Sequence, residues 1–287
     1  MQKHPSKQFL LSIISDEISQ DPDIAIELAV SHHYDGIELR SVWDTPVERL
    51  PLEKQKKLAM MLQESMLSVS AIASSFLKDD WMKDDDEKFQ LLIQTCHIFN
   101  CNKLRAFSFW ASEKYSDEEF AIYLERYNTI LKKEGIDLVL ENDPAVNLCS
   151  AKELGRFFSK YEFSNIGILW DPGNDIYTHV GKTVPYPDGY RLVYPYIKHV
   201  HLKDAIIVNG QPIGTAFGDG LLNCEGQLKA LKESGYCGWI TLEPHYRLDS
   251  EISEELLKRP GGAAFSENGY LPSKICMERL DEILARI

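Results

Sequence analysis

Short apolar runs alternate with longer amphipathic stretches along the whole chain. Eight runs read as strands: Leu10–Ser15, Gly36–Arg40, Leu67–Ala73, Leu104–Ser108, Ile136–Glu141, Ile166–Asp171, Lys198–Lys203 and Trp239–Glu243. Between them, apolar residues recur at three- and four-residue spacing, which predicts helices over Pro22–His33, Leu52–Ser65, Asp84–Phe99, Asp117–Glu134, Ala151–Lys160 and Glu225–Ser234. A last helix, Lys274–Ile287, follows the eighth strand. Ser116 and Glu119 form a capping-box pattern, Asp21-Pro22 places proline in a first helical turn, and Gly135 and Gly235 stand at helix ends.

Strict alternation of strand and helix predicts an all-parallel sheet. Eight units in 287 residues favour a single α/β domain over 1–287, a closed (β/α)8 TIM barrel, over an open doubly wound sheet. A dinucleotide-binding sheet would need GxGxxG after its first strand, and SIISDEIS has none. Two long connections, Pro172–Pro195 and Pro244–Ser273, leave the carboxyl ends of strands six and eight. Loops of that length in a compact domain more often serve function than idle.

The last four strands each stop at a residue able to bind a metal: Glu141 in LVLEND, Asp171 in ILWDPGN, His201 in KHVHLKD and Glu243 in ITLEPH. Singly, each has an ordinary explanation: a solvated loop acid, a turn aspartate before Pro-Gly, a packed ring. Together they occupy the same end of consecutive strands, the end where such barrels do chemistry. Three carboxylates and an imidazole at one point call for one divalent cation (Mn, Mg, Co or Zn), since oxygen and imidazole donors suit all four. If these four point inward, alternation turns Val139, Leu169, His199 and Thr241 inward one layer deeper. His199 is then either a partner of His201 or a buried ring bonded to a carbonyl. Lys203 at the rim either meets a substrate oxygen or pairs with Asp204 or another carboxylate. Glu38 and Arg40 share one face of strand two, lining the barrel or forming a buried ion pair; Arg105 has the same two readings. If several of Arg40, Arg105, Lys203 and Arg247 reach the mouth, the substrate is anionic. Trp43, Trp81, Phe109 and Trp110 either wall a sugar or simply pack.

Composition narrows the partners. A net charge of −13 argues against nucleic acid, because phosphate binding needs a basic surface. The apolar run near the amino end is too short to span a membrane and lacks a small-residue cleavage site. Six cysteines without CxxC or framework spacing read as free thiols of a cytoplasmic protein. The acidic run Asp79–Glu87 reads as a solvated helix start rather than a metal site.

The set LEND, WDPGN, HVHLKD and LEPH, with ISDEIS, YDGIELR and GYCGWITLEPHY, resembles the sugar phosphate isomerase/epimerase superfamily with a xylose-isomerase-like barrel. That group includes ketose 3-epimerases, hydroxypyruvate isomerase, inosose isomerases and dehydratases, and endonuclease IV. The resemblance implies Glu141, Asp171, His201 and Glu243 as metal ligands, with Glu141 and Glu243 also transferring protons. Asn174 departs from the histidine common at that position in ketose epimerases; it can hydrogen-bond substrate but cannot act as a base. Of the eight histidines, His4, His32, His33 and His97 fall at the terminus or on outer helices, too few remaining for a three-metal endonuclease.

The expected activity is a metal-dependent isomerase or epimerase of a small sugar, sugar phosphate or keto-polyol, working through an enediolate. The alternatives are an inosose-type dehydratase of the same superfamily and a barrel that binds a metabolite without turnover. The expected partner is a small polyhydroxy carbonyl compound, with a homo-oligomer allowed and neither nucleic acid nor membrane.

Overall fold

The computed structural model describes residues 8–83, 85–180 and 184–287. Eight parallel strands close into a barrel: β1 (Leu10–Ile14), β2 (Gly36–Leu39), β3 (Ser68–Phe76), β4 (Lys103–Ala106), β5 (Asp137–Glu141), β6 (Ile166–Trp170), β7 (Ile197–Leu202) and β8 (Trp239–Leu242). Each pairs with its sequence neighbours, and β1 pairs with both β2 and β8. All eight expected strands are present. Arg40, Asp171, Lys203 and Glu243 stand one residue past their strands, where the backbone leaves the ladder for the loops.

Seven helices match the amphipathic stretches, α1 (Pro22–Ser31), α2 (Leu52–Glu64), α3 (Asp86–Ile98), α4 (Asp117–Glu134), α5 (Ala151–Lys160), α7 (Cys224–Glu233) and α8 (Tyr270–Leu284), while α6 (Pro172–His179) forms where a connection is expected. Their ends have local causes. Ser116 Oγ accepts from Glu119 N–H, Asp21 caps the proline-led α1, and Gly135 takes the left-handed conformation (φ 67°) that ends α4.

Strand alternation splits the buried residues in two. Leu138, Leu140, Ile168, Trp170, Val200 and Leu202 face outward and pack with the helices into one continuous apolar cluster. Each such side chain, fully buried, contributes about 1.5–3 kcal/mol. The inward positions include Ser12, Glu38, Ser70, Arg105, Val139, Leu169, His199 and Thr241, all buried and mostly polar. Near the base, a Cβ on Gly36 would lie 2.3 Å from the Ser68 carbonyl oxygen and 2.8 Å from the Trp239 ring, so only glycine fits there.

Three features differ from the sequence expectation. The connection Pro172–Pro195 is largely structured, containing α6, a π-turn over Pro185–Gly189 and a helical turn Tyr190–Val193. The connection Pro244–Ser273 holds two short helices, Glu254–Lys258 and Gly262–Ser266. After β7 a hairpin (Asp204–Val208 with Gln211–Thr215) turns on Asn209-Gly210, both at positive φ. That Asn-Gly pair is a strong hairpin signal in the sequence. Asp204 organises the hairpin base: its carboxylate accepts from the N–H groups of Ala205, Gly218, Gly220 and Leu222.

His4 and Asp84 lie outside the described residues. The rest of the acidic run stays near the surface at the start of α3, with Asp79 paired to Lys83 and Asp86 to Arg126. Trp81 and Phe109 pack edge-on with Tyr115 and Phe120, so these aromatics serve the core. The six cysteines are free. No helix among the described residues is long and apolar enough to cross a membrane.

Candidate active site

At the carboxyl end of the barrel, ligand atoms of Glu141, Asp171, His201 and Glu243 all lie within 4.8 Å of one another, and all four residues are buried. Each is aimed there by its local backbone. Glu141 ends β5. Asp171 caps α6: its Oδ1 accepts from Asn174 N–H at 3.1 Å. The Asn142 side chain ties the ends of β5 and β6 together, donating to Asp171 O at 2.8 Å and accepting from Asp171 N–H at 3.0 Å.

His201 is oriented from behind. Its Nε2 lies 2.9 Å from Glu38 Oε1, while its Nδ1 faces Glu141 Oε1 at 3.5 Å and Glu243 Oε2 at 3.6 Å. Nδ1 is buried with no hydrogen-bond partner. An Nε2–H donated to Glu38 leaves the Nδ1 lone pair free for a cation, the way a carboxylate behind an imidazole fixes a ligating tautomer. Glu38 Oε2 also takes His199 Nε2 at 2.7 Å, and Thr241 Oγ1 sits 3.1 Å from the same nitrogen. His199 is thus a neighbour of His201 through a shared carboxylate, not a ring bonded to a carbonyl.

Burial pushes the Glu38 carboxyl up, but the two imidazoles outweigh it and hold it well below the usual range. Burial also disfavours charge on His201, yet Glu38, Glu141 and Glu243 raise it well above an ordinary imidazole. His199 goes the other way, lowered by burial. Burial pushes both Glu141 and Glu243 up, but Arg105 brings Glu141 below its ordinary value, and Lys203 and His245 bring Glu243 well below. Asp171 ends raised, because burial outweighs Lys203.

The basic residues are each engaged. Arg40 does not pair with Glu38; its guanidinium spans Asp16 (2.9 Å), Glu17 (3.0 Å) and Glu243 (2.8 Å). Arg105 donates to Glu141 at 3.1 Å and to the carbonyls of Ala73 and Ser74. Lys203 turns away from Asp204 and bridges Asp171 (2.6 Å) and Glu243 (2.8 Å). Gly173 lets it do so, since a Cβ there would lie 2.5 Å from Lys203 Cγ. Arg247 is directed at the carbonyls of Tyr246, Phe265 and Glu267, with Glu17 at 3.8 Å, so it braces the last loop. Asn174 Nδ2 donates to Asn142 O at 2.7 Å and to Glu141 at 3.3 Å.

A cleft of about 420 Å³ opens onto this cluster. Glu141, Glu243, Asn174, Arg105 and Lys203 form its floor; Phe107, Tyr177, Pro212, Ile252, Leu257 and Pro260 contribute walls and cover. Its size suits a small molecule. Burial pushes the Tyr177 phenol up to about 12, so it remains a donor at the wall.

Several residues here escaped the sequence reading. Asp16 and Glu17 follow β1 in SDEI, where the strand-end argument applied to β5–β8 would have found them. His245, in the quoted LEPH, is held in the left-handed region (φ 43°) with Nε2 3.3 Å from Glu17 and 3.5 Å from Glu243. Non-glycine residues in that region cost about 1–3 kcal/mol and cluster at functional sites. Lys78, paired with Asp143 at 2.8 Å, and Phe107 carried no recognisable signal.

The donor set fits a divalent cation. Ion pairs connect five buried carboxylates (Asp16, Glu17, Glu141, Asp171, Glu243) to four buried cations (Arg40, Arg105, Lys203, Arg247), and a sixth, Glu38, joins them through His201. With His201 neutral, as a ligating imidazole must be, six acids face four cations, and the two missing positive charges are what a divalent ion beside His201 Nδ1 would supply.

Known proteins resemble this chain in sequence family and in fold. A family model described as xylose isomerase-like TIM barrel matches residues 26–263. An inosose dehydratase from Klebsiella pneumoniae is 27% identical over 147 residues, covering 45% of this chain and 48% of that protein; one from Serratia proteamaculans is also 27% identical over 147 residues, covering 45% and 49%. The chain thus spans about half the length of the curated relatives it matches. Among solved structures, the IOLI protein with a bound zinc atom superposes with a TM-score of 0.71 at 16% identity, covering 97% of this chain and 99% of that one. A D-allulose 3-epimerase from Methylomonas sp., solved with D-allulose, superposes with a TM-score of 0.70 at 16% identity, covering 98% of both chains.

Proposed function

The chain belongs to the xylose isomerase-like TIM barrel family, and we propose that it is a divalent-metal-dependent isomerase or epimerase of a small polyhydroxy carbonyl compound. The observation that carries this reading is the convergence of Glu141 and Glu243, from the two outer strands of the four that carry the ligand cluster, onto the floor of one cleft. Glu141, Asp171, His201 and Glu243 would hold the ion. A bound divalent cation supplies Lewis acidity toward a carbonyl and its neighbouring hydroxyl, which acidifies the intervening C–H.

The rest falls to side chains of this chain. One of Glu141 and Glu243 removes the proton from the carbon beside the carbonyl, and the other returns one to the opposite face. Arg105 donates to Glu141 and Arg40 to Glu243, so each carboxylate is held in place while the substrate reacts. Lys203 and Arg105 put positive charge beside the oxygens on which negative charge develops in the enediolate. Asn174, with no basic lone pair, orients a hydroxyl. The segment from His245 to Pro260 covers the cleft and limits water.

A second reading is supported by the curated relatives, which are inosose dehydratases. Proton removal is the same, and a β-hydroxyl then leaves as water. Incubation of candidate ketoses and keto-cyclitols in D2O separates the two. Deuterium on the α-carbon of recovered or isomerised substrate supports the first, and dehydration supports the second. If the compound isomerises with no solvent deuterium incorporated, a hydride shift replaces both. Elemental analysis tests the premise: the reading fails if the purified protein carries no divalent ion and none can be loaded.

A further inference from the structure

We infer that the cleft selects an uncharged polyhydroxy carbonyl compound and rejects phosphorylated or carboxylated ones. The inference rests on the proposed proton-transfer site and narrows what that site accepts. In the sequence, four basic residues near the mouth left an anionic substrate open. The structure shows what each is bonded to.

Among the described residues, four cationic side chains line the cleft, and every one already faces a carboxylate. Arg105 is 3.1 Å from Glu141, and Lys203 is 2.6 Å from Asp171 and 2.8 Å from Glu243. At the outer wall, Lys78 is 2.8 Å from Asp143, with the faces of Phe107 and Trp110 around its ammonium. On the covering helix, Lys258 is 2.6 Å from Glu254. Arg40 and Arg247 lie behind the floor and do not line the cleft.

Binding an anion at any of these points means displacing a carboxylate that stays within a few ångströms, or leaving both acids against one cation. Like charges brought together in this way weaken binding by orders of magnitude. A divalent ion at the ligand cluster would share the carboxylates of Asp171, Glu243 and Glu141 with Lys203 and Arg105, but it adds no more positive charge than the network lacks. The buried network then reaches balance between its carboxylates and its cations, and a phosphate dianion would reintroduce two unmatched charges beside the buried acids of the floor. The remaining lining suits a neutral polyol: Phe107, Pro144, Ala145, Val180, Pro212 and Leu257 meet C–H faces. Asn174 and Tyr177 meet hydroxyls.

The test uses metal-loaded protein with a neutral ketohexose, a neutral keto-cyclitol and the monophosphate ester of each. Binding is measured by calorimetry and α-carbon exchange in D2O by NMR. The neutral compounds should bind, and their esters should bind roughly a hundredfold more weakly. Asp143→Asn keeps the oxygen that accepts from Ala145 N–H but frees Lys78, and Glu254→Gln frees Lys258. Each should raise affinity for an ester severalfold while leaving affinity for its neutral parent within about twofold. Esters that bind as well as their parents overturn the inference, and if those esters exchange deuterium the proton-transfer reading stands without it. Selective binding of neutral compounds with no exchange in any of them supports the inference and sinks the proton-transfer reading. Failure of all four compounds to bind overturns the inference as well.

Discussion

The two halves of the barrel do different work at the same mouth. Strands β5–β8 end in Glu141, Asp171, His201 and Glu243, whose donor atoms converge on one point. The β1–β4 half brings Glu38, Arg40 and Arg105, which contact His201, Glu243 and Glu141 from behind and from the side, and Asp16 and Glu17, which hold Arg40. One half offers atoms to a ligand, and the other sets the charge and orientation of those atoms. A site of this kind is therefore not its ligand set alone. Glu38, on β2, determines which nitrogen of His201, on β7, faces Glu141 and Glu243.

That division can be broken from either side. The largest effect should come from the ligand half. Glu141→Gln and Glu243→Gln each keep the shape of the side chain but remove the base, and α-proton exchange should fall by about a thousandfold, the usual scale for a lost general base. Circular dichroism should remain that of the parent. If either variant keeps more than a tenth of the exchange rate, that carboxylate is not the proton-transfer group.

From the other half, Glu38→Gln should act through His201. Loss of a carboxylate behind a ligating imidazole lowers metal affinity by about 10–100-fold. Competition against a chelator measures it, and an unchanged affinity would detach β2 from the site's chemistry.

The coupling also has a pH signature. His201 is raised well above an ordinary imidazole without metal, so its Nδ1 proton must leave when an ion binds. Metal affinity should therefore rise with pH, by up to about tenfold per pH unit below the raised value, flattening above it. The same shift makes His201 stabilise the metal-free fold fully below the unfolded imidazole pKa, a contribution lost as pH rises through the folded value. Calorimetric titrations in buffers of different ionisation enthalpy report the proton released. An affinity independent of pH would show that His201 is not a ligand.

The smallest expected effect belongs to Asn174, which touches Glu141 and the cleft but moves no proton. Asn174→Ala should raise KM severalfold, with a smaller change in kcat, because one hydrogen bond is worth about 1 kcal/mol. A loss comparable to that of Glu141→Gln would mean that Asn174 is part of the acid–base apparatus.

The sequence by itself determined the barrel. Its eight strands and most helices follow from apolar period and capping residues, signals carried within a dozen neighbouring positions. It also exposed the ligand half, because Glu141, Asp171, His201 and Glu243 each end an apolar run at a recognisable strand edge. Lys203, Arg40 and Arg247 show where local signals end. All three are basic residues beside strand ends, yet Lys203 bridges Asp171 and Glu243, Arg40 joins three acids from β1 and β8, and Arg247 holds loop carbonyls. Which carboxylate a cation meets depends on barrel closure, which sets residues more than two hundred positions apart, such as Arg40 and Glu243, at 2.8 Å. Only the tertiary structure could decide those pairings, and with them the charge left over for a metal and a substrate, because electrostatic partnership depends on distance in space and leaves no period along the chain.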